Sequence, residues 1–467
     1  MKGLQKQSPK TDTAQEVAHL LKNIVLIREE KKEQREQQER EDHPESLIKN
    51  LAGGIVGNVL EWYDFAIFGF LAPIIGDLFF PSNDPLYSLL GAFSVFAAGF
   101  LMRPVGGVFF GYIGDHYGRK KALRLSVIMM AVPTFFIGIL PTQAQIGVLA
   151  PILLVLCLMA QGLSVGGEFV GSIAFVAETA PPKRQGYYSS WTFASCYAGM
   201  MLGSLTSVWL GSTLGPQAMS GWGWRLPFLA GIVIGLVGLW MRQGLHETPT
   251  FKKLESAGTI IGNPLAEAIK LARWRMVLAV CLSVLVGGFY LLFIWWPSML
   301  SEHLHPYADQ LLWLNTFYLM LLIVIVPLAG HASDKIGRRP LLVAGAAGMA
   351  IVSLPLFLLV EYGGLFSVVI AQLCFTVLMG IFLGAVPATL AEIFPVGVRY
   401  SAMGLSYNVS LSLFGGTAPV IATWLLIHYR NLYAPAIYLV LMATASLLAA
   451  RNLPDTVRGE DKNPIRV

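Results

Sequence analysis

The chain has 467 residues, 55% of them hydrophobic and only 13% charged, with a mean hydropathy of +0.61. A soluble enzyme of this length could not bury so much apolar surface in its own core, so lipid is the expected solvent for most of the chain. The formal net charge of +5 comes from Lys and Arg dispersed over many short connections rather than gathered on one face, which excludes a nucleic-acid-binding reading of that charge.

Residues 1–46 read as a polar cytoplasmic extension. Val17, Leu20, Leu21, Ile24 and Ile27 recur there at helical spacing before a charge-rich run, and His43-Pro44 should end that helix. A largely solvated helix is expected, with contact to the membrane surface or a partner as the alternative. No apolar h-region of a signal peptide appears in this stretch, so the first span should itself start insertion.

Apolar segments able to cross about 30 Å of hydrocarbon follow near 48–78, 87–112, 122–140, 148–179, 187–210 and 224–241. A polar, basic loop over 243–273 interrupts the series, which resumes near 276–300, 310–330, 340–360, 365–392, 401–427 and 432–450. The expected fold is therefore an all-α membrane protein of twelve transmembrane helices. They form two pseudo-symmetric six-helix bundles, 47–242 and 274–450, joined by the loop 243–273 and followed by a cytoplasmic tail, 451–467.

Arg119, Lys120, Lys121, Lys183, Arg184, Lys252, Lys335, Arg338 and Arg339 all fall on one side of the alternation, whereas connections 79–86, 141–147, 301–309 and 361–364 carry no Lys or Arg. Arg225 and Arg430 are the exceptions. Because Lys and Arg are retained on the cytoplasmic side during insertion, both termini are expected in the cytoplasm and the protein in the plasma (inner) membrane. Cys157, Cys196, Cys281 and Cys374 lie inside spans without metal-ligand spacing and read as packing residues.

Two local patterns are written twice. Gly111-Tyr-Ile-Gly-Asp115-His-Tyr-Gly118-Arg119 returns as Gly330-His-Ala-Ser-Asp334-Lys-Ile-Gly337-Arg338, and Glu178-Thr-Ala-Pro-Pro-Lys-Arg184 returns as the stretch from Glu392 to Arg399. Each copy lies nearly half a chain from the other, the pattern expected of a duplicated membrane bundle that rocks about a central site. Glycines at four-residue spacing, such as Gly162 and Gly166 or Gly199 and Gly203, predict close helix approach. Gly166-Gly167-Glu168 and the stretch from Gly416 to Pro419 predict weakened helices at the cavity.

Taken together, Gly57-Asn58-Val-Leu-Glu61-Trp62-Tyr63-Asp64-Phe65, Arg103-Pro104-Val-Gly106-Gly107, the two Asp/Arg loops, Gln161-Gly162-Leu-Ser164-Val-Gly166-Gly167-Glu168, Trp224-Arg225-Leu-Pro227-Phe228, Glu247-Thr248-Pro249 and Arg399-Tyr400-Ser401 resemble the major facilitator superfamily, and within it the metabolite:proton symporters. Phe289-Tyr290, Trp295-Trp296-Pro297-Ser298 and Ala418-Pro419 resemble its proline/betaine branch. The resemblance covers about Asn50 to Pro454. One departure bears on substrate charge: the fourth span usually carries Arg or Lys three residues before its Gln-Gly, and this chain has Leu158.

At about 1.5 Å per residue from the basic ends of the spans, Arg103 lies roughly 13 Å deep, Glu61 about 15 Å, Glu168 about 16 Å and Asp64 about 20 Å. All four are expected to share the cavity region. Three acids then face one base, and at least one acid should carry a proton; Asp64, deepest and farthest from Arg103, is the expected coupling residue, with Glu61, Glu168 and Arg103 completing the proton-coupling set. Trp62, Trp191, Tyr290, Trp295 and Tyr407 are expected to border the cavity and to suit an ammonium through cation–π contact, while Gln161 and Asn408 could hydrogen-bond a carboxylate. The resemblance further implies that Asp115, Arg119 and Glu178, with Asp334, Arg338 and Glu392, make ion pairs that gate the cytoplasmic side. If exposed, such pairs are worth about 0–1 kcal/mol each.

The function read from the residues is proton-coupled symport of a small polar metabolite by alternating access. The cation-poor cavity favours a zwitterion such as proline or betaine over a di- or tricarboxylate. The expected partners are a small-molecule substrate and the lipid bilayer, with a monomer as one option for the oligomeric state; no cofactor or metal is expected beyond the coupling proton. An organic-acid symporter and a transporter-like nutrient receptor without net flux are the alternatives. An enzyme is disfavoured because no nucleophile–base or metal constellation recurs across the spans, and no Gly-rich ATP loop ending in Lys-Ser/Thr is present.

Overall fold

The computed structural model describes residues 44–117, 119–243, 264–303, 308–394 and 398–453. The amino-terminal extension up to residue 43, most of the inter-bundle loop and the tail from residue 454 lie outside the described residues. Backbone contacts divide the chain into Met1–Ala52 and Gly53–Val467. Of the first unit only the opening turns of one helix are described, and the account below concerns the second.

The first half contains α1 (Pro44–Phe70), α2 (Ala72–Phe79), α3 (Pro85–Leu101), α4 (Arg103–Tyr117), α5 (Arg119–Ile139), α6 (Leu149–Thr179), α7 (Gln185–Ala218) and α8 (Arg225–Gln243). The second contains α9 (Pro264–Tyr290), α10 (Trp296–His303), α11 (Ala308–Ile336), α12 (Arg338–Tyr362), α13 (Leu365–Ile393), α14 (Arg399–Ser410), α15 (Ala418–Tyr429) and α16 (Tyr433–Arg451). No strand occurs among the described residues. Among the described residues nine helices are long and apolar enough to cross a bilayer; α1 and α2 form a further candidate span bent by 59°, and Leu125–Ile139 and Arg225–Val237 are apolar but shorter. The bend follows Pro73 at the start of α2, where a residue without an N–H cannot continue the helical ladder. Residues 264–273, expected as loop, are helical, with a kink at Ala272.

The duplication read from the sequence is visible in the packing. In the first half α4 lies on α6 and α5 on α8; in the second, α11 lies on α13 and α12 on α16. The seam between the halves is made by α7 against α11 and by α4 and α6 against α14. Small residues set the closest approach. A Cβ added to Gly162 would lie 1.7 Å from the Gly99 carbonyl oxygen, and one added to Gly166 would lie 2.0 Å from that of Arg103. The contact of α6 with the end of α3 and the start of α4 is thus backbone on backbone, as four-residue glycine spacing predicts. Gly162→Leu is therefore expected to prevent assembly of the first half, since overpacking already costs about 1–3 kcal/mol where neighbours can shift and here the neighbour is main chain. The yield of monodisperse protein after extraction in mild detergent checks this.

Candidate substrate and coupling site

Arg103 opens α4 with its side chain 1% exposed. Its guanidinium carbon lies 4.1 Å from the centre of the Phe100 ring, 5.2 Å from Trp62 and 5.3 Å from Phe65. Aromatic faces compensate part of the lost hydration of a buried cation. They supply no acceptors, and Nε and Nη2 have no hydrogen-bond partner among the described residues. The second half completes the box: Tyr290 stacks on Trp62 at 6.1 Å and meets Phe100 edge-on at 4.9 Å. Tyr407 packs 5.3 Å from Phe169, which itself meets Trp62 edge-on at 5.8 Å. Glu61 is 5% exposed, and its charge and that of Arg103 both act on Tyr290, Tyr407 and the Cys196 thiol. Trp62 Nε1 and the hydroxyls of Tyr197 and Tyr407 are further buried donors without a partner among the described residues. Buried polar atoms are normally satisfied. A cluster of open donors beside aromatic faces, at the seam of two halves, has the chemistry to hold a carboxylate and an ammonium together.

Asp64 is bonded within the first half: its hydrogen-bond partner is on α5, and it faces a glycine of α8. Thr134 Oγ1 of α5 lies 3.0 Å from Asp64 Oδ2 and 2.9 Å from the Met130 carbonyl, and it accepts from Gln161 Nε2 of α6 at 2.6 Å. Oδ1 faces Gly231 of α8 and has no hydrogen-bond partner among the described residues. The physical reason is angular: residues three apart on a helix differ by about 60° in direction, enough to turn Glu61 to the seam and Asp64 inward. Glu168, 7% exposed, is a third environment and accepts from Ser126 Oγ of α5 at 2.7 Å. Leu158 is 1% exposed and packs on Gly99 of α3.

At the end of the bundle that carries the basic repeats, Arg338 Nη1 lies 2.7 Å from Asp334 Oδ1 and Arg338 Nη2 lies 3.0 Å from Glu392 Oε1. The same Asp334 carboxylate accepts the backbone N–H groups of Gly186 and Tyr187, both at 2.8 Å, from the first turn of α7 in the other half. A carboxylate on a helix N-terminus gains from both the free N–H groups and the helix dipole. The expectation of exposed pairs is corrected, since the Arg338 and Asp334 side chains are only 8% and 5% exposed. The side chains of Asp115, Arg119 and Glu178 lie outside the described residues. Two more bonds tie this part of the seam: Tyr400 donates to the Gly167 carbonyl and Asn408 to that of Gly166.

At the opposite end, among the described residues, one ion pair crosses the halves, Arg430 with Asp84 at 3.6 Å, and it is solvated, with side chains 65% and 34% exposed. It accounts for one of the two basic residues that broke the loop pattern. The other, Arg225, donates to the Leu140 carbonyl at 2.5 Å and the Gly138 carbonyl at 3.2 Å, closing the carbonyl end of α5. Asp84→Asn is expected to change uptake by less than about fivefold, the span of an exposed pair, and the difference should vanish at high salt. Uptake rates at low and high ionic strength test it.

Of the residues singled out from the sequence, Trp62, Tyr290, Tyr407, Arg103 and Glu61 come together, whereas four of the substrate-binding candidates do not join them. Trp295 donates to Thr423 Oγ1 at 2.9 Å within its own half. Gln161 belongs to the Asp64 network, Asn408 is spent on Gly166, and Trp191 stands near the Asp334 clamp, 6.3 Å from Tyr187. Sequence reasoning missed Phe100, Phe169, Tyr197 and Thr134. Phe100 lies one helical turn before Arg103 and Phe169 directly follows Glu168, so proximity to a marked charge was a usable signal; Thr134 carried none.

Two matching halves of membrane helices, with a buried polar and aromatic site at their seam and ion pairs at both ends, define a membrane carrier. Residues 52–257 match the family described as "Sugar (and other) transporter" and residues 276–466 the family described as "Major Facilitator Superfamily". A glycine betaine/proline/ectoine/pipecolic acid transporter of Dickeya dadantii is 37% identical over 421 residues, 88% of this chain and 84% of that one. The proline/betaine transporter of Escherichia coli is 35% identical over 421 residues, again 88% of this chain and 84% of the relative. The ectoine/proline transporter of Corynebacterium glutamicum is 33% identical over 423 residues, 87% of this chain and 84% of that one. Among solved structures, a proton:xylose symporter bound to 6-bromo-6-deoxy-D-glucose superposes with a TM-score of 0.73 at 20% identity, covering 88% of this chain and 96% of the other. The chain belongs to the major facilitator superfamily, in the branch that holds the proline/betaine transporters. It is a multi-pass membrane transporter and not an enzyme.

Proposed function

We propose that this protein imports a small zwitterion of the proline or betaine type with a proton, crossing the inner membrane twelve times with both termini in the cytoplasm. The observation that carries the reading is the Arg103 box: a buried guanidinium with open donors, walled by Phe100, Trp62 and Phe65 and closed from the other half by Tyr290. The substrate carboxylate takes the open guanidinium N–H groups, and its ammonium lies on the faces of Trp62, Tyr290 and Tyr407, with Glu61 as counter-charge. A second carboxylate on the substrate would find no further cation at Leu158. The names of the curated relatives support this class.

Asp64 is the proton carrier in this reading, and its hydrogen bonds suit both protonation states. With Asp64 ionised, the single Thr134 hydroxyl proton points to Oδ2. With Asp64 protonated, the carboxyl can donate to Thr134 Oγ1, which then turns its own proton to the Met130 carbonyl. The Asp334–Arg338–Glu392 cluster and its bonds to α7 hold the cytoplasmic side shut while the other side opens, and Asp115, Arg119 and Glu178 are their counterparts in the first half.

Uptake of radiolabelled proline, glycine betaine, citrate and 2-oxoglutarate by proteoliposomes, with and without an imposed pH gradient, tests the whole reading. Saturable zwitterion uptake that depends on the gradient is expected. Proton-driven uptake of a di- or tricarboxylate with no competition from zwitterions would refute it. Arg103→Lys is expected to lower uptake at subsaturating substrate by about tenfold or more, because a lysine cannot present two parallel N–H groups to a carboxylate. Initial rates measured alongside surface expression check this.

A further inference from the structure

Between α9 and α10 the backbone forms a π-turn over Leu291–Trp295, each residue of which is at most 1% exposed. Such a turn shifts the helical hydrogen-bond pattern by one residue, and single π-turns inside helices recur at functional sites. Here side chains from two other helices hold it. Gln372 Nε2 of α13 donates to the Leu292 carbonyl at 3.1 Å, and Asn315 Nδ2 of α11 donates to the Phe293 carbonyl at 3.3 Å. Both amides are 2% exposed. Consecutive carbonyls of one turn thus accept from side chains of two other helices.

The turn divides two sets of contacts. Before it, Phe289 stacks on Tyr197 at 4.8 Å and Tyr290 stacks on Trp62 at 6.1 Å, both across the seam. At its end Trp295 is bonded to Thr423, and directly after it Trp296 packs 4.4 Å from Phe357, both inside the second half. Ile294 meanwhile fills the space beside Gly69 of α1, where an added Cβ would lie 2.8 Å from Ile294 Cγ2. A regular α-helix advances about 100° per residue, so relaxing the extra residue would rotate one side of the turn against the other by roughly that angle. Tyr290 could not then face Trp62 while Trp295 kept Thr423.

We infer that Asn315 and Gln372 are positioning residues for substrate recognition: by holding the Phe293 and Leu292 carbonyls they fix the π-turn, and with it the angle at which Tyr290 closes the Arg103 box. The inference rests on the reading of that box as the substrate site. Nothing in the sequence marks the two residues, which are separated from the turn by 22 and 80 positions.

The test uses Asn315→Leu and Gln372→Met, which keep approximate volume and remove the donor, and Gln372→His, which restores an N–H. Proline and glycine betaine uptake by proteoliposomes gives KM and Vmax. A substrate-independent reading comes from disulfide cross-linking of Gly69→Cys with Ile294→Cys in a background with Cys157, Cys196, Cys281 and Cys374 replaced, the smaller side chain at 294 making the room. Elution as a monodisperse species establishes folding of each variant. We expect each donorless variant to raise KM about tenfold, the scale of one unpaired buried carbonyl, with a much smaller change in Vmax and a lower cross-linking yield. Gln372→His should recover most of the KM. Unchanged cross-linking, whatever the kinetics, would overturn the positioning role. Lower cross-linking with unchanged KM would leave the turn dependent on the amides and instead overturn the assignment of the Arg103 box as the substrate site. If a donorless variant fails to fold, Gln372→Asn, which keeps the donor on a shorter arm, must show an intermediate KM and yield for the inference to stand.

Discussion

Liposomes carrying Asp64→Asn are expected to exchange substrate across the membrane yet fail to accumulate it when a pH gradient is imposed. The amide matches the carboxyl in shape and can keep one hydrogen bond to Thr134 Oγ1, so the packing of α1 against α5 and α6 should survive. It cannot bind and release a proton, which removes the only step that ties substrate movement to the gradient in the proposed cycle. Accumulation driven by the pH gradient should fall to the level of empty liposomes, while counterflow of labelled proline or betaine stays within about an order of magnitude of the parent protein, since in the proposed reading the substrate is held by the Arg103 box and not by Asp64. Gradient-driven accumulation at the parent level would remove Asp64 from the mechanism and leave Glu61 or Glu168 as the carrier. Thr134→Val offers a second reading of the same network, because it takes away the hydroxyl that serves both forms of Asp64.

The second large effect is expected at the basic end. Arg338→Gln leaves Asp334 and Glu392 close together without their shared cation, in a site where the Arg338 and Asp334 side chains are 8% and 5% exposed. Removing one partner of a buried pair costs about 3–5 kcal/mol, and that cost is relieved if the halves part and water reaches the carboxylates. The population should therefore move toward the form open on this side by more than about a hundredfold, far beyond what a solvated pair such as Asp84–Arg430 could produce. Cysteine labelling at seam positions of α7 near Ser190 should rise steeply in Arg338→Gln and hardly at all in Asp84→Asn. Equal labelling in both variants would reduce the Asp334 cluster to a determinant of topology.

Much of this architecture was legible in the chain itself. In lipid the only stable spanning structures satisfy their own backbone, so long apolar runs can be read as helices without reference to partners. The repeated Asp and Arg positions marked the duplication, and the packing of α4 on α6 and of α11 on α13 reproduces it. Buried charges are costly enough that Glu61, Asp64, Arg103 and Glu168 stood out from composition alone. What the sequence by itself determined is therefore the order of helices and the two-fold repeat, because these follow from helical periodicity and from the solvent.

Direction around each helix was decided by the tertiary structure. An offset of about 60° between residues three apart sends Glu61 to the seam and Asp64 to Thr134, a partner 70 positions away that no local pattern announces. The same holds for Trp295, whose indole N–H is taken by Thr423 128 positions away, and for the π-turn held by Asn315 and Gln372, whose extra residue shifts the phase of every side chain after it. Asp334 was expected in an exposed ion pair, and the packing of α11 against α7 instead buries it on the first turn of the other half. Helix existence is a property of a segment and its solvent, whereas the environment of a side chain is set by whichever distant segment packs against that face.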